Sequence, residues 1–200
     1  MPVEIEAKMK VDDLGAVRDR LKAAGATIIG EYLERNVFFD TADRALLTAD
    51  QGLRIRLAQG TGGGEPVCTI TFKGPRLHGQ LKSREETEVT VGNYDNAVTL
   101  LKCLGYARVL SFEKRRQSWS VGGCRVELDE LPHLGPYVEI EGKSEETVLK
   151  VRDMLQLSDR PLMNTSYIAL LIAHLQEHGQ STRDVVFEPA PPARRVNGAA

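Results

Sequence analysis

The sequence predicts an antiparallel α+β fold or barrel, and three observations carry that reading. Segments that alternate apolar and charged residues recur along the chain, helical stripes are few and short, and the elements follow no regular strand–helix–strand rhythm of the kind a doubly wound sheet requires. The 200 residues include 26 Lys+Arg against 28 Asp+Glu, a formal net charge of −2 although 27% of residues are charged. That balance argues against a strongly basic nucleic-acid binder and against an acidic disordered chain. The size suits one domain, residues 1–178, followed by a Pro/Arg/Gly/Ala tail over 179–200 that is expected to be disordered.

Pro2 to Val11 alternates strictly, with Val3, Ile5, Ala7, Met9 and Val11 on one face and Glu4, Glu6, Lys8 and Lys10 on the other, and reads as a strand. Asp12 or Asp13 caps a helix striped by Leu14, Val17, Leu21 and Ala24, which Gly25 stops. Residues 26–40 are rich in β-prone side chains, and 41–51 read as a turn or short helix. Gly52 to Ala58 alternates again, and Thr61-Gly62-Gly63-Gly64 is a hairpin loop into the strand Val67 to Gly74. No GK[ST] follows those glycines, so a phosphate-cradling loop is the weaker reading. A strand over 81–91 precedes a helix that Asn93 caps and Gly105 ends. Strands are expected over 107–121, 123–131 and 134–142, with Gly122-Gly123 as a tight turn. Ser144 opens one helix, and Thr165 or Ser166 opens another.

Cys68, Cys103 and Cys124 form no CxxC and no zinc-spaced cluster, which suits a reducing cytoplasm. The acidic start lacks the apolar stretch of a signal peptide, and no segment reaches the length of a membrane span, so no membrane role is expected. The four His are scattered along the chain and none is a catalytic candidate, while Trp119 and Tyr137 read as packing residues.

Several strands pair an apolar face with one dense in charge. One such strand is an ordinary half-solvated element, and a solvent-facing sheet could carry them all. The repetition raises the alternative of a closed barrel, apolar and helix-covered outside and charged inside, which needs a ligand or internal partners to offset like-charge repulsion and desolvation. Clustered carboxylates are hard oxygen ligands for Mg²⁺ or Mn²⁺, and clustered Arg and Lys suit a polyanion, so both in one cavity suggest a metal–polyphosphate complex.

Glu4-Ile5-Glu6-Ala7-Lys8 resembles the ExExK signature of the CYTH superfamily, the triphosphate tunnel metalloenzymes. The likeness continues in order through Phe39-Asp40-Thr41, Leu53-Arg54-Ile55-Arg56, Thr71-Phe72-Lys73-Gly74-Pro75, Arg84-Glu85-Glu86-Thr87-Glu88, Phe112-Glu113-Lys114-Arg115-Arg116, Val126-Glu127-Leu128-Asp129 and Tyr137-Val138-Glu139-Ile140-Glu141. Ser166-Tyr167-Ile168-Ala169-Leu170-Leu171 resembles the SYxxLL helix of class IV adenylate cyclase-like members. Many members carry an acidic residue and a Tyr where this chain reads Arg35-Asn36-Val37-Phe38-Phe39, so no substrate contact is carried over from that strand.

The resemblance implies an eight-stranded antiparallel β-barrel forming a charged tunnel with helices packed outside, and divalent-metal chemistry on triphosphates. It assigns Glu4, Glu6, Asp129, Glu139 and Glu141 to Mg²⁺ or Mn²⁺, with Glu86 and Glu88 either ligating metal or holding basic side chains. Arg54, Arg56, Lys73, Arg84, Lys114 and Arg116 are assigned to triphosphate oxygens, and Lys8 to a phosphate contact or to placing an attacking water, so that Lys8, Glu4 and Glu6 form the catalytic set. Arg125 and Glu127 are held out as a structural ion pair. The implied activity is a class IV-type adenylate cyclase, ATP to cyclic AMP and pyrophosphate. The alternatives are a triphosphatase acting on tripolyphosphate, thiamine triphosphate or a nucleoside triphosphate, and a non-catalytic binding module. The expected partner is a triphosphate-containing small molecule with no nucleic acid, and the resemblance makes a homodimer reasonable.

Overall fold

A computed structural model describes residues 3–188. Its elements in chain order are β1 (Val3–Lys10), α1 (Leu14–Ala23), β2 (Thr27–Asp40), α2 (Ala45–Thr48), β3 (Gly52–Gly60), β4 (Val67–Arg76), β5 (Lys82–Val91), α3 (Tyr94–Cys103), β6 (Ala107–Val121), β7 (Cys124–Leu131), β8 (Gly135–Gly142), α4 (Glu145–Met154), α5 (Tyr167–Glu177) and β9 (Asp184–Val185). The sheet order is β2-β3-β4-β5-β1-β8-β7-β6, and β2 also pairs with β6, which closes an eight-stranded barrel with every ladder antiparallel. Closure removes the free sheet edges that an open array would expose.

The period-two pattern decides which residues face inward. Ala7 and Met9 of β1, Trp119 of β6, Val126 and Leu128 of β7 and Val138 and Ile140 of β8 point outward and are covered by α1 and α4 through Leu21, Val148 and Leu155. Val37, Phe39, Leu53 and Ile55 are covered in the same way by Ala97 and Leu101 of α3. The helices therefore supply the apolar cover that the outer barrel face needs, and the charged residues between these positions are left for the interior.

Local signals fix the ends of the elements. Asp13 and Ser144 cap α1 and α4, and Asn93 caps α3 by accepting from the Asn96 amide at 2.8 Å. Gly122 and Gly123 both adopt positive φ (57° and 76°), the conformation a two-residue hairpin between β6 and β7 requires. Residues 180–188, grouped with the tail in the sequence reading, return to the barrel instead. Asp184 and Val185 pair in parallel with Ser111 and Phe112 of β6. The remainder of the expected disordered tail, residues 189–200, lies outside the described residues. Among the described residues no helix is long and apolar enough to cross a membrane.

At one end of the barrel the interior turns apolar. Leu110, Phe112, Leu131 and Tyr137 pack there against Tyr167, Leu171 and Leu175 of α5. Ser166 caps this helix through the Ala169 amide, and that places Tyr167, its first residue, among the interior charges.

Candidate active site

The barrel encloses a cavity of about 1110 Å³. Its lining includes Glu4, Glu6 and Lys8 from β1, Arg54 and Arg56 from β3, Lys73 from β4, Arg84, Glu86 and Glu88 from β5, Lys114 and Arg116 from β6, and Glu139 and Glu141 from β8. Alternation on six strands thus converges the predicted acidic and basic sets on one space. The interior is charged, and the solvated open sheet is excluded.

Most of these charges are paired across strands. Lys8, 2% exposed, lies 3.1 Å from Glu139 and 3.4 Å from Glu6, and Lys82 reaches Glu6 at 2.7 Å. Arg116 donates in a fork to both oxygens of Asp129 (2.7 and 2.6 Å) and to Glu139 at 2.6 Å. Lys114 pairs with Asp129 at 3.2 Å and Glu34 at 3.4 Å. Lys73 binds Glu86 and stands 3.7 Å from Glu4, and Arg56 binds Glu88 at 3.0 Å. Such pairing is what makes an interior of this kind tolerable, because an uncompensated buried charge is strongly destabilising.

The structure places some predicted residues differently within the site. Asp129 is fully buried and does not line the cavity. Its oxygens accept from Arg116, Lys114 and the Tyr167 hydroxyl (3.0 Å), so it holds basic side chains in place. Arg84 lines the cavity, but it donates to the Asp50 carboxylate at 2.8 Å and to the carbonyls of Asp50 and Gly74 at 2.6 and 2.9 Å, which ties β5 to the loop after α2. Arg54 is different in kind. It has no carboxylate partner among the described residues, its one hydrogen bond goes to Thr71 at 3.4 Å, and its buried Nε has no partner. That guanidinium is the cation most available to an anion.

The carboxylates divide by environment. Burial alone would raise Glu139, but Lys8, Arg116 and Lys114 outweigh it and hold this group well below the usual carboxylate range. Burial, reinforced by the charges of Glu4 and Glu139, pushes Glu141 well above that range. Glu4 and Glu86 both stand at Lys73, and each perturbs the ionisation of the other. Burial and the Glu4 contact raise Glu86 to about 7, while Glu4 falls to about 2 despite burial, through the Glu86 hydrogen bond and the Lys73 charge. Among the described residues no three His, Cys, Asp or Glu side chains stand as a ready-made ligand group. The donor set nevertheless fits Mg²⁺ or Mn²⁺, because Glu4 and Glu86 are hard oxygen donors and a divalent cation can replace the proton that Glu86 holds.

Sequence reasoning missed Glu34, Asn36, Lys82 and Tyr167 as interior residues and set Glu127 aside. Lys82 lies in phase with Arg84 and Glu86, and Glu127 in phase with Asp129, so period two alone could have found both. Glu127 is 1% exposed and accepts from Ser118 at 2.5 Å. Glu34 and Asn36 were hidden because Glu31–Arg35 of β2 do not alternate apolar with charged. The histidines that look scattered in sequence are partly brought together. His133 stacks on His174 (5.2 Å) and His174 on His178 (4.1 Å), all outside the cavity lining.

A CYTH domain family model matches residues 2–166. Among curated proteins, the chain is 29% identical over 157 residues to the adenylate cyclase CyaB of Aeromonas hydrophila, spanning 78% of this chain and 77% of that one. It is 27% identical over 177 residues to MJ0240 of Methanocaldococcus jannaschii, whose name assigns it provisionally as an adenylate cyclase, spanning 84% and 98%. Among solved structures, the PH1819 protein of Pyrococcus horikoshii superposes with a TM-score of 0.75 at 27% identity, covering 86% of this chain and 99% of that one. The fold is also that of HpAC1 from Hippeastrum, described as having a dominant triphosphatase activity (TM-score 0.61, 18% identity, 91% and 98% covered).

Proposed function

The chain belongs to the CYTH domain family, and from that footing we propose that its barrel interior is a divalent-metal-dependent site that converts ATP to cyclic AMP and pyrophosphate. The observation that carries the nucleotide part of this reading is the division of the cavity. Arg54, Arg56, Lys114 and Arg116 occupy its interior, whereas Phe38, Leu46, Leu47, Phe112, Ile168 and Ile172 line the side toward α2 and α5. At about 1110 Å³, with apolar as well as cationic lining, the space suits a triphosphate carrying a base. The adenylate cyclase name of the Aeromonas relative supports the choice of reaction.

In this reading the ribose 3′-hydroxyl attacks the α-phosphorus, a new O–P bond forms, and the bond from the α-phosphorus to the bridging oxygen breaks. Pyrophosphate leaves with that electron pair, and the hydroxyl proton passes to water. Arg54 and Arg56 bind phosphate oxygens through planar donor forks, and Lys73, Lys114 and Arg116 add charge where the leaving pyrophosphate gathers it. Burial would lower the pKa of Lys8, but Glu139 and Glu6 outweigh it and raise it, so Lys8 acts as a fixed cation against phosphate and does not serve as a base. Glu4, Glu6, Glu86, Glu139 and Glu141 are the residues that would hold Mg²⁺ or Mn²⁺. When bound, the metal supplies charge neutralisation at the phosphates and makes the attacking hydroxyl more acidic.

The second reading is a triphosphatase, in which water attacks the terminal phosphorus. It is favoured by the pairing that already fixes the interior cations, since this array can hold a terminal phosphate as readily as an internal one. Incubating the protein with ATP or tripolyphosphate plus Mg²⁺ or Mn²⁺ and resolving the products separates the two. Cyclic AMP with pyrophosphate supports the cyclase, orthophosphate without cyclic AMP replaces it by the triphosphatase, and no turnover of either substrate leaves a binding module.

A further inference from the structure

Asn36 is 1% exposed, lines the cavity from the inner face of β2, and has an Oδ1 with no hydrogen-bond partner among the described residues. Its amide orientation is set by a neighbour. Nδ2 donates to Glu34 Oε2 at 3.4 Å, and Glu34 lies 3.4 Å from Lys114 and 3.8 Å from Arg56, which keep it ionised and able only to accept. Turning the amide over would set two acceptors against each other. The group left over is therefore an acceptor, and a buried carbonyl without a donor is a standing cost that a ligand N–H or O–H would relieve.

The place of Asn36 along the strand says which part of a ligand that is. Two residues toward the apolar side of the cavity is Phe38, whose ring stacks on Phe112 at 5.9 Å. Two residues the other way is Glu34, which pairs in register with Lys114. Asn36 itself is in register with Arg56 on β3 and with Phe112 on β6. It thus stands at the junction between an aromatic pair and the phosphate-facing cations. An ionised triphosphate carries no donor, and the part of a nucleoside triphosphate that lies between base and phosphates is the ribose.

We propose that Asn36 Oδ1 accepts a hydrogen bond from a ribose hydroxyl, with Phe38 and Phe112 beside the base, and so makes the cavity prefer a nucleoside triphosphate to inorganic tripolyphosphate. The inference rests on the triphosphate reading of the same cavity. A site built to bond a hydroxyl rejects the analogue that lacks it, because its own buried group is then left unpaired.

The test measures dissociation constants by calorimetry for ATP, 2′-deoxy-ATP, 3′-deoxy-ATP and tripolyphosphate, without divalent metal so that nothing turns over, on the full chain and on Asn36→Leu. One deoxy analogue is expected to bind the unsubstituted protein about ten-fold more weakly than ATP, a gap that closes in Asn36→Leu, while that substitution lowers the preference for ATP over tripolyphosphate by a similar factor. Equal binding of ATP and both deoxy analogues by the unsubstituted protein overturns the inference, and that arm needs no substitution to fold. An unchanged preference in a folded Asn36→Leu overturns it as well. Binding of tripolyphosphate without ATP sinks the ribose contact and leaves the triphosphate site standing, whereas binding of none of the four, both without metal and with Ca²⁺ added, removes both.

Discussion

Lys8 Nζ stands 4.2 Å over the ring of Tyr167, so the first residue of α5 is in direct contact with the most buried cation of the barrel. The same stretch of chain holds Lys8 twice more. Met163 N donates to the Lys8 carbonyl at 2.8 Å, and Lys8 Nζ donates to the Thr165 carbonyl at 3.2 Å. The approach to α5 is therefore part of the site as well as a cover for its end.

Replacing Tyr167 should separate two contributions. Tyr167→Phe keeps the ring under Lys8 and loses the bond to Asp129, a cost of about 1–2 kcal/mol. Tyr167→Leu also loses the cation–π contact, for a total near 3 kcal/mol. Urea unfolding should rank the three proteins Tyr, Phe, Leu, and equal midpoints for Phe and Leu would remove the role given to the ring.

Arg54→Leu should cost little stability, within about 1 kcal/mol, because it removes a cation that has no carboxylate partner among the described residues and lies beside Arg56. The same change should weaken tripolyphosphate binding by about 10- to 100-fold through lost charge-assisted hydrogen bonds. Unchanged affinity would show that Arg54 does not face the anion.

Glu34→Leu should be strongly destabilising, by about 3 kcal/mol, since Lys114 and Arg56 lose a buried partner. Burial alone would raise the pKa of Glu34, but Lys114, Arg116 and Arg56 outweigh it and hold the group well below the usual range. A depressed folded pKa gives stability that is present above the unfolded value of about 4.3 and lost as pH falls through the folded one. Chemical denaturation between neutral and strongly acid pH should show that loss, and Glu34→Gln should flatten it.

The raised pKa of Glu86 predicts how metal binding follows pH. Glu86 keeps its proton below about 7, so Mn²⁺ must displace it there and need not above. Mn²⁺ affinity should fall as pH drops below neutrality, with Glu86 contributing about ten-fold per pH unit and about one released proton per metal at pH 6. Glu86→Gln should remove that share of the slope and leave the part due to Glu141. A flat profile in the unsubstituted protein would mean that Glu86 is not at the metal site.

Alternation left open sheet and closed barrel undecided, and the barrel came from the family resemblance. The two faces of the strands were legible because most obey one rule, apolar on one side and charged on the other, which needs no tertiary information to apply. It placed Glu4, Glu6 and Lys8 on one face as surely as Arg54 and Arg56. It failed on β2, which pairs with both β3 and β6, carries a register shift between Ile28 and Gly30, and mixes Tyr32, Leu33 and Glu34 without alternation. The use each charge is put to was also unreadable. Asp129 and Glu141 look alike in sequence, yet one is spent on Arg116, Lys114 and Tyr167, while the other is pushed toward neutrality by burial and the charges of Glu4 and Glu139. Pairing depends on which strands become neighbours, and the alternation pattern is silent on that.

Closure of the barrel has a kinetic consequence. The β1–β8 and β2–β6 seams join segments far apart in the chain, Glu6 with Glu141 and Glu34 with Lys114 among them. Contacts of that span make folding slow, on the scale of milliseconds to seconds, because long loops must be closed before any gain returns. Until both seams form, Lys8 stays apart from Glu139 and Lys114 from Glu34, whereas pairs within one hairpin, such as Arg116 with Asp129 and Lys73 with Glu86, can form earlier. The cations of β3 and β6 face one space only once the β2–β6 and β1–β8 seams have joined, so in the proposed function ligand binding would double as a report on whether the last strands have met.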